Sequence, residues 1–151
     1  METLFHTSPA EITTVNADGL FDSFLFFSSR PYSMSTGKVV TYSIELADSD
    51  IISAGSLFYH ADAAKLDGLV AAFCKRFDID DTDDAEEIIS ERKSLCDVTG
   101  ADFDGDDQWA VQLFAADCAK ALGFRGVAVT DESGTAYMID MLGRESDLRK
   151  A

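Results

Sequence analysis

The sequence predicts an α+β fold, with N- and C-terminal β-strands packed together and a central helical block between them. Three observations predict it. Aromatic and β-branched runs with strand-like alternation cluster in residues 1–47. Residues 50–122 carry apolar side chains at helical spacing, and residues 126–141 return to strand, with a turn at Glu132-Ser133-Gly134. Strands, then helices, then strands is the block order of an α+β chain and differs from the β-α-β repetition that builds a parallel sheet.

Each element has its own signal. The first strand is expected over residues 3–6, where Leu4-Phe5-His6 is stopped by Thr7, Ser8 and Pro9. Residues 24–28, Phe-Leu-Phe-Phe-Ser, form the second strand, and the alternation of residues 39–46 is that of a half-buried third, with Pro31 and Gly37 punctuating the connection. A helix is predicted over 60–77, because Ala64, Leu66, Leu69, Val70, Phe73 and Phe77 fall near one stripe. A second covers 83–96, with Asp84 and Glu87 at capping-box spacing. The third, 108–122, is entered from the acidic run 102–107 and closed by Gly123. Strands 126–130 and 136–141, joined through Glu132-Ser133-Gly134, read as a hairpin. If the two strand groups meet, the first and last strands lie side by side and His6 faces the Asp131-Glu132 corner.

Size and charge bound the function. A chain of 151 residues with 46% hydrophobic content is expected to be one domain over 1–151. Its 28 acidic against 12 basic residues give a charge of −16, which argues against direct binding to nucleic acid or an anionic membrane and favours a basic protein partner. No apolar run approaches the ~18 residues that span a bilayer. The first residues carry Glu2, Glu11 and Asp18 and no Lys or Arg, unlike a secretory leader, so a cytoplasmic location is expected. Cys74, Cys96 and Cys118 are too far apart for a metal knuckle and odd in number for a disulfide framework. All three are expected to be reduced, buried packing residues on helices.

Several site chemistries are poorly matched. A calcium loop starting at Asp78 would place Asp83 at the turn glycine and Ile89 at the bidentate Glu, and one starting at Asp102 would place Asp107 and Leu113 there. These runs read as solvated helix entries, and no metal site is expected. There is no Gly-x-Ser-x-Gly elbow, Walker loop or dinucleotide glycine fingerprint. Trp109 is expected to pack its helix against the sheet, and His60 to be a surface residue. Taken alone, His6 in an apolar strand is a satisfied structural histidine. Arg30 is either a fork for a pyrophosphate or an ordinary surface charge.

Three segments in order carry a family resemblance. Leu4-Phe5-His6-Thr7-Ser8 resembles the Leu-(Tyr/Phe)-His-Gly-(Thr/Ser) strand of ADP-ribosyltransferases of the diphtheria-toxin and poly-ADP-ribose-polymerase type. Gly19 followed by the aromatic strand ending at Ser28-Ser29 is similar to their second element, and Ala119 to Val127 to the helix and Leu-Gly-Tyr-x-Gly-Ile turn of small members. With Trp109 and the Val127 to Thr135 segment, the chain most resembles the type I-F anti-CRISPR ADP-ribosyltransferases. That resemblance implies an ADP-ribosyltransferase-like α+β fold and NAD as substrate. It places His6 on the adenosine ribose and the backbone of Thr7 on the nicotinamide amide. A ring among Phe27, Tyr32 and Tyr42 would sandwich the nicotinamide, with Ser8, Ser28, Ser29 and Arg30 around the cofactor.

The acid is implied to be Asp131, with Glu132 beside it; neighbours on a strand face opposite ways, so one of the two points inward. Thr7 replaces the family's glycine, and Ala136-Tyr137-Met138 stands where the wider family has Glu-Tyr-Ile. The implied role is transfer of ADP-ribose to a protein side chain, by a phage counter-defence factor that inactivates the DNA-binding surface of a CRISPR complex subunit in the host cytoplasm. The alternative is a non-enzymatic acidic decoy that blocks a nucleic-acid-binding surface.

Overall fold

Two sheets and a helical block make up the part of the chain that a computed structural model describes, residues 2–8, 24–29, 40–100, 105–131, 134–141 and 144–150. The strands are β1 (Glu2–Ser8), β2 (Phe24–Phe27), β3 (Val40–Leu46), β4 (Ile51–Ser53), β5 (Gly126–Asp131), β6 (Gly134–Asp140) and β7 (Arg149–Lys150). The helices are α1 (Asp67–Phe77), α2 (Thr82–Ile89), α3 (Leu95–Thr99) and α4 (Gly105–Ala121). One sheet has the order β1-β3-β7 and the other β2-β6-β5-β4. Neighbours are antiparallel except β4 and β5, which run parallel. A single bridge joins the sheets: the Phe5 N–H donates to Ser28 O and the Ser28 N–H to Phe5 O, both at 2.8 Å.

Side-chain alternation explains why two cores form. On β3, Tyr42, Ile44 and Leu46 are buried while Glu45 is exposed. Ile44 and Leu46 meet Leu4, Phe27, Ile139 and Met141 in a small core between the sheets. On β6 the even positions Ala136 and Met138 turn the other way, into the larger core built with α1, α2 and α4. A strand buried on both faces reads as an apolar run, which is why residues 136–141 carry little polar alternation. Gly126 is required by close approach, since a Cβ there would lie 2.5 Å from Met138 O.

Several expectations are corrected. The helix expected from residue 60 begins at Asp67, preceded by 3-10 turns at Ala54–Tyr59 and Ala63–Leu66. β4, inside the stretch expected to be helical, is too short to show a period and owes its conformation to pairing with β5. The helix expected over 83–96 stops at Ile89 and restarts at Leu95. The cap of α2 is Asp81, whose carboxylate accepts the Asp83 N–H at 2.9 Å, in place of Asp84. Helix α4 begins at Gly105 and closes, as expected, at Gly123 with φ +94°. The first strand and the last one expected, now β6, are not neighbours, because β2 stands between them, bridged to β1 and paired with β6. Cys118 is buried and Cys74 half-buried, but Cys96 is exposed. Trp109 is 43% exposed and does not bury its indole against the sheet.

Candidate functional site

The chain's two sheets are joined by the single Phe5-Ser28 bridge, and His6 is the next residue of β1. It shares a face with Leu4 and is paired in register with Tyr42 of β3. Its ring packs on Phe27 with centroids 5.5 Å apart, and its Nδ1–H donates to the Phe26 carbonyl at 2.5 Å. A carbonyl oxygen only accepts, so Nδ1 holds the proton and Nε2 of the neutral ring keeps its lone pair. Ring packing and hydrogen bond together fix the imidazole's orientation.

Thr7 lies one step further along β1. In an antiparallel ladder, alternate residues turn both backbone polar groups to the same edge. Phe5 turns its pair toward Ser28, so Thr7 also turns its N–H and C=O toward the β2 side. The Thr7 hydroxyl lies 3.5 Å from that of Thr41. Ser8 is the last residue of β1, opposite Val40, while Ser28 holds the bridge and Ser29 is exposed. The candidate rings Phe27 and Tyr42 are 2% and 4% exposed, so they wall His6 from within the structure and do not present open stacking faces. Arg30, Tyr32 and Glu132 lie outside the described residues.

Asp131 is the last residue of β5, opposite Gly134. Phe27 is level with His6 through the bridge, Tyr137 with Phe27, and Ala128 with Tyr137, so Asp131 lies three residues from the level of His6, toward Thr3 and away from Thr7, and across two intervening strands. Strand spacing puts the two Cα positions about 14 Å apart sideways and about 10 Å apart lengthwise. His6 and Asp131 therefore stand on opposite flanks of the strands β2 and β6, and they do not touch as the expected corner required. Ala136 is 5% exposed and faces the larger core, so an acid at that position would be buried among apolar side chains.

One residue at the Asp131 end was not singled out from the sequence. Glu91, in the turn after α2, accepts the Thr130 N–H with both carboxylate oxygens, at 2.9 and 3.2 Å. Burial pushes its carboxyl above the usual carboxylate range, and the Thr130 N–H pulls the other way. It adopts a left-handed backbone, φ +66°, where a helix end more often has glycine. A charged residue after Ile88-Ile89-Ser90 carries no sequence signal of that role.

Glu91 and Thr130 edge a cleft of about 400 Å³, together with Lys93, Ser94, Asp97 and Gln112. A second cleft, about 290 Å³, is framed by Tyr59, Glu86, Glu87 and Arg92, the Arg92 guanidinium lying 4.4 Å over the Tyr59 ring. Neither cleft includes β1. His60 is half-buried, edge-on to Phe124 at 5.6 Å, and accepts the Asp62 N–H at 3.0 Å, so it packs and caps where a surface role was expected. Among the described residues, no group of three or more His, Cys, Asp or Glu side chains could hold a metal ion, and no helix is long and apolar enough to cross a membrane.

Comparison with known proteins adds to this geometry. The family model described as Anti-CRISPR Type I-F ADP-ribosyltransferase AcrIF11 matches residues 2–144. A solved crystal structure of an anti-CRISPR protein is similar with a TM-score of 0.53 and 22% identity, over 91% of this chain and 88% of that one, a likeness of fold. No curated protein matches the sequence.

Proposed function

The chain belongs to the type I-F anti-CRISPR ADP-ribosyltransferase family, and from that premise we propose that it transfers ADP-ribose from NAD to a side chain of a CRISPR complex protein. The observation that carries the proposal is His6 beside the single β1-β2 bridge, with Nε2 of the neutral ring left as acceptor and the Thr7 backbone turned to the β2 side. There Nε2 accepts a hydroxyl of the adenosine ribose, and the backbone of Thr7 holds the nicotinamide amide. That second contact uses main-chain atoms, so it survives the replacement of glycine by threonine. With Phe27 and Tyr42 buried, the stacking ring falls to Tyr32, and Arg30 to the pyrophosphate.

Breaking the nicotinamide bond leaves the electron pair on the departing nicotinamide and a positive charge on the ribose. Negative charge placed beforehand near that ribose lowers the barrier. Asp131 serves that purpose and takes the proton of the attacking side chain, with Glu132 as its neighbour. The separation of His6 and Asp131 is within the span of a dinucleotide laid across β2 and β6, and the burial of Ala136 favours Asp131 over the later strand position. A charge of −16 draws the chain to a basic, nucleic-acid-binding surface, acting in the host cytoplasm. A transferred ADP-ribose adds bulk and negative charge where DNA phosphate would dock.

The test is incorporation of labelled ADP-ribose from NAD into the purified complex. His6→Ala and Asp131→Ala are each expected to abolish it while remaining folded, and full activity in both would remove the assignment. A decoy, which the same acidic charge would suit, instead blocks at one copy per target and gains no thermal stability from millimolar NAD.

A further inference from the structure

The β4 strand accompanies β5 only through Ile51↔Gly126, Ile52↔Val127 and Ser53↔Ala128. Beyond Ala128, that edge of β5 has no strand beside it among the described residues, yet it carries Thr130 and then Asp131 to the hairpin end. The donor that a longer β4 would have taken, the Thr130 N–H, is taken by the Glu91 carboxylate. Glu91 comes from the helical block, so the clamp ties the end of β5 to the turn between α2 and α3.

We infer that Glu91 is a positioning residue for this site: by holding the Thr130 amide it sets where Asp131 stands at the end of β5. The inference rests on the role proposed for Asp131. Two features of Glu91 are hard to account for if it only closes a helix. Its backbone is left-handed, and the Arg92 and Lys93 N–H groups both return to Glu87 O, at 2.8 and 3.2 Å, the kind of helix end that glycine forms with less strain. Its carboxylate also stays at a place where burial disfavours the charge. Arg92 does not neutralise it: that guanidinium lies over Tyr59 and donates to Tyr59 Oη and to Gly55 O. Lys93 is engaged with Asp84 and Glu87. The Glu91 side chain holds one amide, next to the proposed acid.

The experiment compares Glu91→Gly and Glu91→Gln with the wild-type chain in the same labelled transfer assay, alongside amide hydrogen exchange. Glu91→Gly relieves the turn and removes the clamp. It is expected to stay folded, to lose about tenfold or more in kcat with KM for NAD unchanged, and to exchange the Thr130 amide at least tenfold faster. Glu91→Gln keeps an oxygen acceptor and is expected to retain kcat within about threefold and a protected Thr130 amide. Wild-type kcat in folded Glu91→Gly, or an equal loss in Glu91→Gln, overturns the positioning role. A wild-type chain that transfers nothing overturns the reading of Asp131 itself, and the exchange of Thr130 then still decides whether the clamp exists in solution.

Discussion

His6 and the cysteines show how far a single residue's environment decides its chemistry. The imidazole is held by a carbonyl on one nitrogen and a ring on one face, so its other nitrogen is a directed acceptor. The thiols differ from one another for the same reason. Burial, with Asp117 adding, pushes Cys118 up to about 12, and burial with Asp81 and Asp80 raises Cys74. A thiol reacts as its thiolate, so burial slows both in the folded chain, Cys118 most. Cys96 is exposed, on the short helix α3. Iodoacetamide on the native protein at pH 8 is therefore expected to add one label, at Cys96, and three after denaturation, as read by intact mass and peptide mapping. Native labelling of Cys118 would contradict the packing around α4.

The elements that matter most for the site are the β5-β6 hairpin and β1. Gly126 lets β5 approach β6, and a methyl there would press on Met138 O, a backbone atom with no freedom to move away. Gly126→Ala is expected to cost about 1–3 kcal/mol and to lower Tm by several degrees in a thermal melt. An unchanged Tm would mean that β5 and β6 pack less closely than the register implies.

Such elements were legible in the sequence where local chemistry acts alone. The alternation of residues 40–46, the aromatic run at Phe24, the hairpin and the Gly123 stop all follow from side-chain period and glycine conformation. The strand β4 and the clamp at Glu91 were not legible. Each exists because of a partner distant in the chain, β5 for Ile51–Ser53 and Thr130 for Glu91, and no local pattern encodes it. The site divides in the same way: His6 is marked by its motif, whereas the separation of His6 from Asp131 follows from the order of strands between them.

At the scale of the whole molecule, the charge separates two ways of acting on a basic target. A charge of −16 accelerates encounter with a positive surface, and salt weakens that attraction as the screening length falls from about 10 Å at 0.1 M to about 3 Å at 1 M. For a transferase, encounter and bond-breaking are distinct steps, and the contacts proposed for NAD at His6 and Thr7 are hydrogen bonds at close range. Raising salt from 50 to 500 mM is then expected to slow modification of the complex by about tenfold or more, while binding of NAD to the isolated chain, followed by thermal shift, changes by less than about twofold. Inhibition should also proceed below one copy per target and stop when NAD is withheld. Inhibition that follows salt in the same way, but saturates at one copy per complex and ignores NAD, would identify the charge as the whole of the mechanism and overturn the contacts proposed at His6.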